Sequence, residues 1–176
     1  MGIKSKVKKT IRTIYDFPKE GIIFRDIMPL LGDPVLTDEI TTALYESVRS
    51  LEIDAVMGIE SRGFFWGILL AQKLQVPFIP VRKKGKLPYK TLSHQYELEY
   101  GIAEIEVHDD MLKSGSKVLI HDDLLATGGT ASAAAQIAQK KDVEIIGFSF
   151  LVTLEFLKGK EKLNQYSDNI FEIIKY

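Results

Sequence analysis

The chain has no cysteine. That excludes disulfides, thiolate nucleophiles and thiolate metal sites. It has almost no net charge, with 23 Lys and Arg against 24 Asp and Glu. Bulk electrostatics therefore offers no case for binding nucleic acid or a membrane surface. Its apolar runs are too short to span a bilayer. The start, Met1-Gly-Ile-Lys-Ser-Lys-Val-Lys-Lys9, is basic but leads into no hydrophobic stretch or cleavage signature, and it fits a myristoylation signal poorly. The expected location is the cytoplasm. Neither G-x-G-x-x-G nor G-x-x-x-x-G-K followed by Ser or Thr occurs, which excludes the usual dinucleotide and P-loop sites. There is no internal repeat, low-complexity tract or dividing linker.

What remains is a chain of 176 residues, 45% hydrophobic and 27% charged, long enough for one domain with a substantial core. Ile3, Val7, Ile11 and Ile14 predict a short amphipathic helix over 3–15 whose lysines form a solvated face. Residues 16–21 are turn-rich, and 22–27 read as an extended segment closed by Pro29. Gly32-Asp-Pro34 ends this N-terminal unit. Thr37 is expected to cap a helix to about Ser50, with Ile40, Leu44, Val48 and Leu51 as its apolar stripe. Strands are predicted at 55–57, 77–81, 118–120, 144–152 and 171–174, and a helix at 64–74. Strands alternating with helices at this spacing imply βαβ units and a parallel sheet. Residues 87–109 break the rhythm. Residues 93–100 and 102–107 alternate apolar and polar positions across Gly101, which predicts a two-stranded ribbon and a candidate lid.

One stretch organises the rest: Lys117-Val-Leu-Ile-His-Asp-Asp-Leu-Leu-Ala-Thr-Gly-Gly-Thr130, followed by an alanine-rich segment. It reads as a buried strand, an acidic pair at its end, a small-residue turn and a helix start. Glycines permit close approach, and the helix N-terminus supplies unpaired N–H groups with partial positive charge, a combination suited to phosphate. The carboxylates of Asp122 and Asp123 suit hydroxyl groups or a hydrated cation. In a parallel sheet ligands bind beyond the carboxyl ends of the strands. There the 60–63, 82–86 and 122–130 loops are expected to converge, presenting cations, carboxylates and a phosphate cradle to a sugar with more than one phosphate group.

The 118–130 stretch resembles the phosphoribosyl-pyrophosphate signature of type I phosphoribosyltransferases. Phe24-Arg-Asp-Ile27, Glu60-Ser-Arg-Gly-Phe64, Arg82-Lys-Lys-Gly-Lys-Leu-Pro88 and Leu98-Glu-Tyr-Gly101 stand in the order found in the adenine-using members. The likeness spans about 16–162. It implies an α/β fold of the type I phosphoribosyltransferase kind: a five-stranded, mainly parallel sheet flanked by helices, with an inserted lid hairpin at about 87–109. All 176 residues would form one domain. The core would span about 35–152, and a small hood would come from about 1–34 with help from about 153–176. The implied reaction joins adenine to phosphoribosyl pyrophosphate, giving AMP and pyrophosphate, with Mg²⁺ as cofactor. The implied assembly is a homodimer, with neither nucleic acid nor membrane as partner.

The same resemblance assigns roles. Ala126, Thr127, Gly128, Gly129 and Thr130 would hold the 5′-phosphate. Asp122 and Asp123 would meet the ribose hydroxyls, directly or through hydrated Mg²⁺, with no direct metal ligand from the protein. Arg62 would contact pyrophosphate from a loop whose Glu60–Ser61 peptide is expected to be cis. Arg82 and Lys86 would neutralise the departing pyrophosphate, while Lys83 and Lys84 are either surface charges or ligand contacts. On the lid, Glu99 would act as general acid/base on the purine or position it, and Tyr100 would shield the ribose or touch the phosphate chain. Phe24, Arg25 and Leu157 would form the base pocket, although Phe24 also suits the hood core and Arg25 a subunit contact. His121 stands where the family usually has an apolar residue. It is expected behind the sheet or near a subunit contact, because strand neighbours point to opposite faces. The alternatives are a phosphoribosyltransferase for another purine and a non-catalytic sensor of phosphoribosyl pyrophosphate or nucleotides.

Overall fold

The computed structural model describes residues 1–98 and 101–176. They form two compact units, Met1–Ala43 and Leu44–Tyr176.

The first unit opens with helix α1 (Ile3–Thr10). The helix is shorter than its periodicity predicts, because Arg12–Ile14 is strand β1, paired antiparallel with β2 (Phe24–Asp26). Ladder hydrogen bonds override the helical spacing at Ile14, while Ile11 caps the helix with its N–H on the Val7 carbonyl. Arg25 donates to Thr13 Oγ1 across this ribbon, and Phe17 packs edge-on against Phe24 with centroids 5.1 Å apart. The short helix α2 (Met28–Leu31) follows directly, with Pro29 tolerated in its first turn. Helix α3 (Pro34–Val48) starts earlier than expected. Its cap is Asp33, whose Oδ1 accepts the Leu36 N–H at 3.0 Å. Thr37 is inside the helix and turns its hydroxyl to the Leu30 carbonyl instead.

The second unit is a seven-stranded sheet built from β3 (Ala55–Ile59), β4 (Phe78–Lys83), β5 (Thr91–Leu98), β6 (Gly101–His108), β7 (Lys117–Leu125), β8 (Glu144–Thr153) and β9 (Ile170–Lys175). The spatial order is β5-β6-β4-β3-β7-β8-β9. Five strands, β4-β3-β7-β8-β9, are mutually parallel. The antiparallel β5–β6 hairpin extends this set at the β4 edge, through Arg82↔Glu106 and Lys83↔Ile105. The expected parallel sheet and inserted hairpin are thus one continuous surface. Residues 99 and 100 lie outside the described residues.

Helices α4 (Gly63–Leu74) and α5 (Gly129–Gln139) cover opposite faces. Ile120 of β7 joins the core cluster that contains the α5 alanines, together with Phe148 and Phe150 of β8. Its neighbour His121 points the other way, toward α4, where Gly67 leaves room for the imidazole. Trp66 and Met57 are wholly buried, as expected. Because β3 is buried along its whole length, it reads as a continuous apolar run rather than an alternating one. The chain then passes through a 3-10 turn (Glu155–Leu157) and helix α6 (Gly159–Leu163) before the last strand.

His121 is completely buried, with Nδ1 3.3 Å from Ser149 Oγ and no hydrogen-bond partner for Nε2 among the described residues. Burial pushes its pKa down to about 4. A depressed histidine leaves stability intact above the unfolded value of 6.5 and removes it as pH falls from there toward 4. That loss is about 3 kcal/mol for this one group. His121→Leu is expected to flatten the stability profile by that amount across this window, as measured by urea unfolding at stepped pH.

Candidate active site

Strand β7 is longer than the apolar run 118–120 suggests. It continues through His121, Asp122 and Asp123 to Leu125. The acidic pair therefore lies inside the strand rather than beyond its end. The ladder to β8 explains this, since Asp122, Leu124 and Leu125 pair with Phe150, Val152 and Thr153.

Between β3 and β7 the sheet order reverses, because β4 lies on one side of β3 and β7 on the other. That is the switch point where a parallel sheet opens a crevice. The Glu60–Ser61 peptide there is cis, as the family resemblance implies. A cavity of about 310 Å³ is lined by Glu60, Ser61, Arg62, Lys83, Asp122, Asp123 and Leu124. A smaller one of about 80 Å³ runs along Leu124 to Ala131, with Asp122 and Phe150. Asp122 and Leu124 belong to both, so the two form one groove.

The electrostatics of this groove are unusual. Arg62 Nε lies 3.1 Å from Asp123 Oδ2, and the Asp123 side chain is nearly inaccessible. Asp122 Oδ1 accepts the backbone N–H of Asp123 at 2.8 Å. Removal from water and the neighbouring charge of Asp123 push the Asp122 carboxyl well above the ordinary range. Burial also raises Asp123, partly countered by the Arg62 guanidinium. Two adjacent carboxylates in such a place resist joint ionisation. The amino end of α4 lies directly against this pair, since a Cβ on Gly63 would stand only 2.8 Å from Asp122 Oδ1. The positive helix end partly offsets the cost.

The phosphate-type loop is built by backbone fit. Gly128 caps α5 in the left-handed region, φ +77°, and no side chain caps that helix end. The first-turn N–H groups of α5 are thus left to a ligand or water. Gly159 packs beneath the loop so closely that a Cβ would run into the Ala126 carbonyl and stand 2.8 Å from Leu125 Cδ1. Thr130 Oγ1 is 3.1 Å from Tyr96 Oη on the hairpin.

The structure brings together Arg62, Asp122, Asp123 and the loop Ala126 to Thr130. It treats the basic run differently from the sequence reading. Arg82 is engaged by Glu60, with Nε 3.1 Å from Oε2, and it also donates to the Lys86 carbonyl at 3.0 Å. Burial works to raise Glu60, but hydrogen bonds from Arg82 and the Lys83 N–H hold it below its ordinary value. Lys83, left open between surface and ligand, lines the larger cavity. Lys86 is exposed. Glu99 and Tyr100 lie outside the described residues. Phe24 and Arg25 stand on β2 of the first unit, and Leu157 ends the 3-10 turn of the second. Tyr96 and Gly159 went unnoticed in the sequence. Tyr96 is one of many alternating hairpin residues, and Gly159 is more than thirty residues from the loop it supports.

Chemically, the groove offers cations, a carboxyl pair held above its ordinary pKa and an uncapped helix end within one crevice. Oxygen donors suit a hard cation such as Mg²⁺, but two carboxylates are too few for an all-protein cage. Among the described residues no group of three or more His, Asp or Glu side chains could hold a metal. That donor set fits an ion that arrives with most of its ligands from water and substrate.

The profile described as "Phosphoribosyl transferase domain" matches residues 30–176. The chain is 49% identical over 174 residues to the adenine phosphoribosyltransferase of Cytophaga hutchinsonii, covering 99% of this chain and 96% of that protein. It is 48% identical to the enzyme of the same name from Flavobacterium johnsoniae, covering 97% and 99%. Among solved structures, adenine phosphoribosyltransferase from Thermoanaerobacter pseudethanolicus superposes with a TM-score of 0.94 at 43% identity, covering 98% and 99%. The Saccharomyces cerevisiae protein, complexed with an imino-altritol bisphosphate and adenine, gives 0.90 at 36% identity, covering 97% and 98%.

Gly159→Ala tests the loop's support. The added methyl must push the Ala126 carbonyl outward. A shift on the order of 1 Å is expected to weaken ribose 5-phosphate binding on the order of tenfold or more, as measured by calorimetry.

Proposed function

The chain belongs to the phosphoribosyltransferase domain family, and we infer from that membership and from the groove that it transfers the 5-phosphoribosyl group of phosphoribosyl pyrophosphate to adenine. AMP and pyrophosphate are the products, and the role is purine salvage. The observation that carries this reading is the meeting of Arg62, the Asp122–Asp123 pair and the α5 helix end at one switch point, in a chain nearly half identical over its length to adenine phosphoribosyltransferases.

The residues divide the substrate between them. Ala126, Thr127, Gly128, Gly129 and Thr130 take the 5′-phosphate on backbone N–H groups and hydroxyls. Asp122 and Asp123 accept the ribose 2′- and 3′-hydroxyls, and their carboxylates also suit waters of the Mg²⁺ that family members use with this substrate. Arg62 turns its guanidinium to the pyrophosphate. Lys83 joins it from the cavity wall, while Arg82 acts through Glu60 and Lys86 from the exposed turn. As the C1–O bond breaks, positive charge grows on the sugar and negative charge on the leaving pyrophosphate. The carboxylate pair stabilises the first and the cations the second. The purine nitrogen takes the vacated C1 position and gives up its proton, for which Glu99 is the assigned acceptor. Tyr100 and the lid exclude water that would otherwise hydrolyse the sugar. The base-facing roles of Phe24, Arg25 and Leu157 follow the family resemblance, as do the homodimer and the cytoplasmic location. No helix among the described residues is long and apolar enough to cross a membrane.

A base panel tests the reading. With phosphoribosyl pyrophosphate and Mg²⁺, adenine is expected to give AMP and pyrophosphate, and hypoxanthine and guanine far less. Absence of AMP from adenine would overturn the assignment, and tight binding without turnover would point to a sensor. Asp122→Asn with Asp123→Asn is expected to lower turnover by about a hundredfold or more while the fold survives. Asp122→Asn alone has an opposite effect on stability. A carboxyl raised in the folded state costs stability as pH climbs through its raised pKa. The ligand-free single variant is therefore expected to melt above the parent at pH 7, by differential scanning fluorimetry.

A further inference from the structure

The basic turn after β4 is shaped by an acid. Gly85 lies at φ +83°, and the turn is closed by the Lys86 N–H to the Lys83 carbonyl. The N–H groups of Gly85, Lys86 and Leu87 then converge on one oxygen, Glu106 Oε1, at 2.9, 3.0 and 3.0 Å. Successive N–H groups in a turn that includes a left-handed residue form a concave anion site, of the kind that often takes phosphate. Here the chain supplies its own anion. The second oxygen, Oε2, accepts the Thr91 hydroxyl at 3.1 Å and lies 3.5 Å from Lys84 Nζ.

Glu106 is only 2% exposed. It stands on β6, opposite Arg82 across the antiparallel ladder. A buried carboxylate is costly unless donors surround it. Five donor groups do so, and four of them come from residues 84–87. Burial works to raise this carboxyl, but the Leu87 and Lys86 N–H groups, Thr91 and Lys84 hold it below its ordinary value. Its partners are the turn and the foot of the hairpin, and it does not line the cavity beside Arg62.

We propose that Glu106 is a positioning residue for the pyrophosphate half of the substrate: it fills the backbone nest of the basic turn, so that the Lys83 and Lys86 side chains face outward in binding geometry before substrate arrives. The inference rests on the reading that this turn serves pyrophosphate. It adds a division of labour within that turn. Backbone donors are consumed internally, so only side-chain cations meet the ligand. The same carboxylate ties the turn to β5 and β6, so the cations and the lid hairpin share one foundation. Loss of Glu106 leaves a turn that must be ordered at the moment of binding, which weakens affinity more than it slows the bound complex.

The test is steady-state kinetics of the full-length enzyme in both directions, with Glu106→Ala, Glu106→Gln and Lys86→Ala. Glu106→Ala is expected to raise KM for phosphoribosyl pyrophosphate, and for pyrophosphate in reverse, on the order of tenfold, the equivalent of one or two lost hydrogen bonds. KM for adenine should stay within twofold and kcat should fall less than KM rises. Glu106→Gln keeps an oxygen in the nest and should recover most of the affinity, which also covers the case in which the alanine variant folds poorly. Gly85→Ala, which strains the same turn, should add little on top of Glu106→Ala. If Lys86→Ala raises KM for phosphoribosyl pyrophosphate but both Glu106 variants leave it unchanged, the positioning role is overturned. If Lys86→Ala and the Glu106 variants all leave it unchanged, the assignment of the turn to pyrophosphate fails instead.

Discussion

Two adjacent carboxylates inside a parallel strand are the constraint on which the site depends. Asp122 and Asp123 lie in β7, between neighbours on both sides, where water cannot solvate them freely. Several features make this tolerable. Arg62 sits at 3.1 Å from Asp123. The Asp123 N–H bonds to Asp122. The amino end of α4 comes close because residue 63 has no side chain. None of these fully neutralises the pair, and both carboxyls stay raised. A ligand that brings hydroxyl donors and a cation supplies what the ligand-free site lacks. A raised carboxyl pair holds back the stability of the ligand-free fold, as is common at active sites.

The rest of the groove follows the same logic with the sign reversed. Cations gathered at one strand end repel one another and would splay if nothing held them. Internal carboxylates prevent that. Glu60 holds Arg82 and the Lys83 N–H, and Glu106 holds the N–H groups of Gly85, Lys86 and Leu87. Glu60 follows β3 and Glu106 stands within β6, so the basic turn is fastened on two sides. The small-residue loop before α5 needs no such acid. Its shape comes from contact, with Gly128 and Gly159 meeting where side chains would collide.

Much of the fold was legible in the sequence. The strand–helix alternation is a strong signal because buried parallel strands are short apolar runs bounded by glycine, proline and charge. The hairpin showed through its period of two. The 118–130 stretch identified the groove because its small residues are contiguous. Boundaries fared worse, for identifiable reasons. At Thr37 two possible caps compete, and Asp33 wins because Pro34 fits the first helical position. Past Ile11, the last cap of α1, helical spacing yields at Ile14 to ladder bonds with β2. At Asp122 polarity suggested a strand end, while the β8 ladder carries the strand onward.

The sequence by itself determined the parallel sheet, the inserted ribbon, the family, and the small-residue loop and acidic pair of β7, because each is encoded in neighbours along the chain. Tertiary structure alone decided what depends on distant residues meeting. It set Arg62 on Asp123, Gly159 beneath Ala126, Tyr96 on Thr130 and Glu106 within the basic turn. It also buried His121 against α4 and gave its imidazole a lowered pKa. Periodicity says which face a residue takes. Only packing says which group waits on that face, and pKa values and anion sites are set by that group.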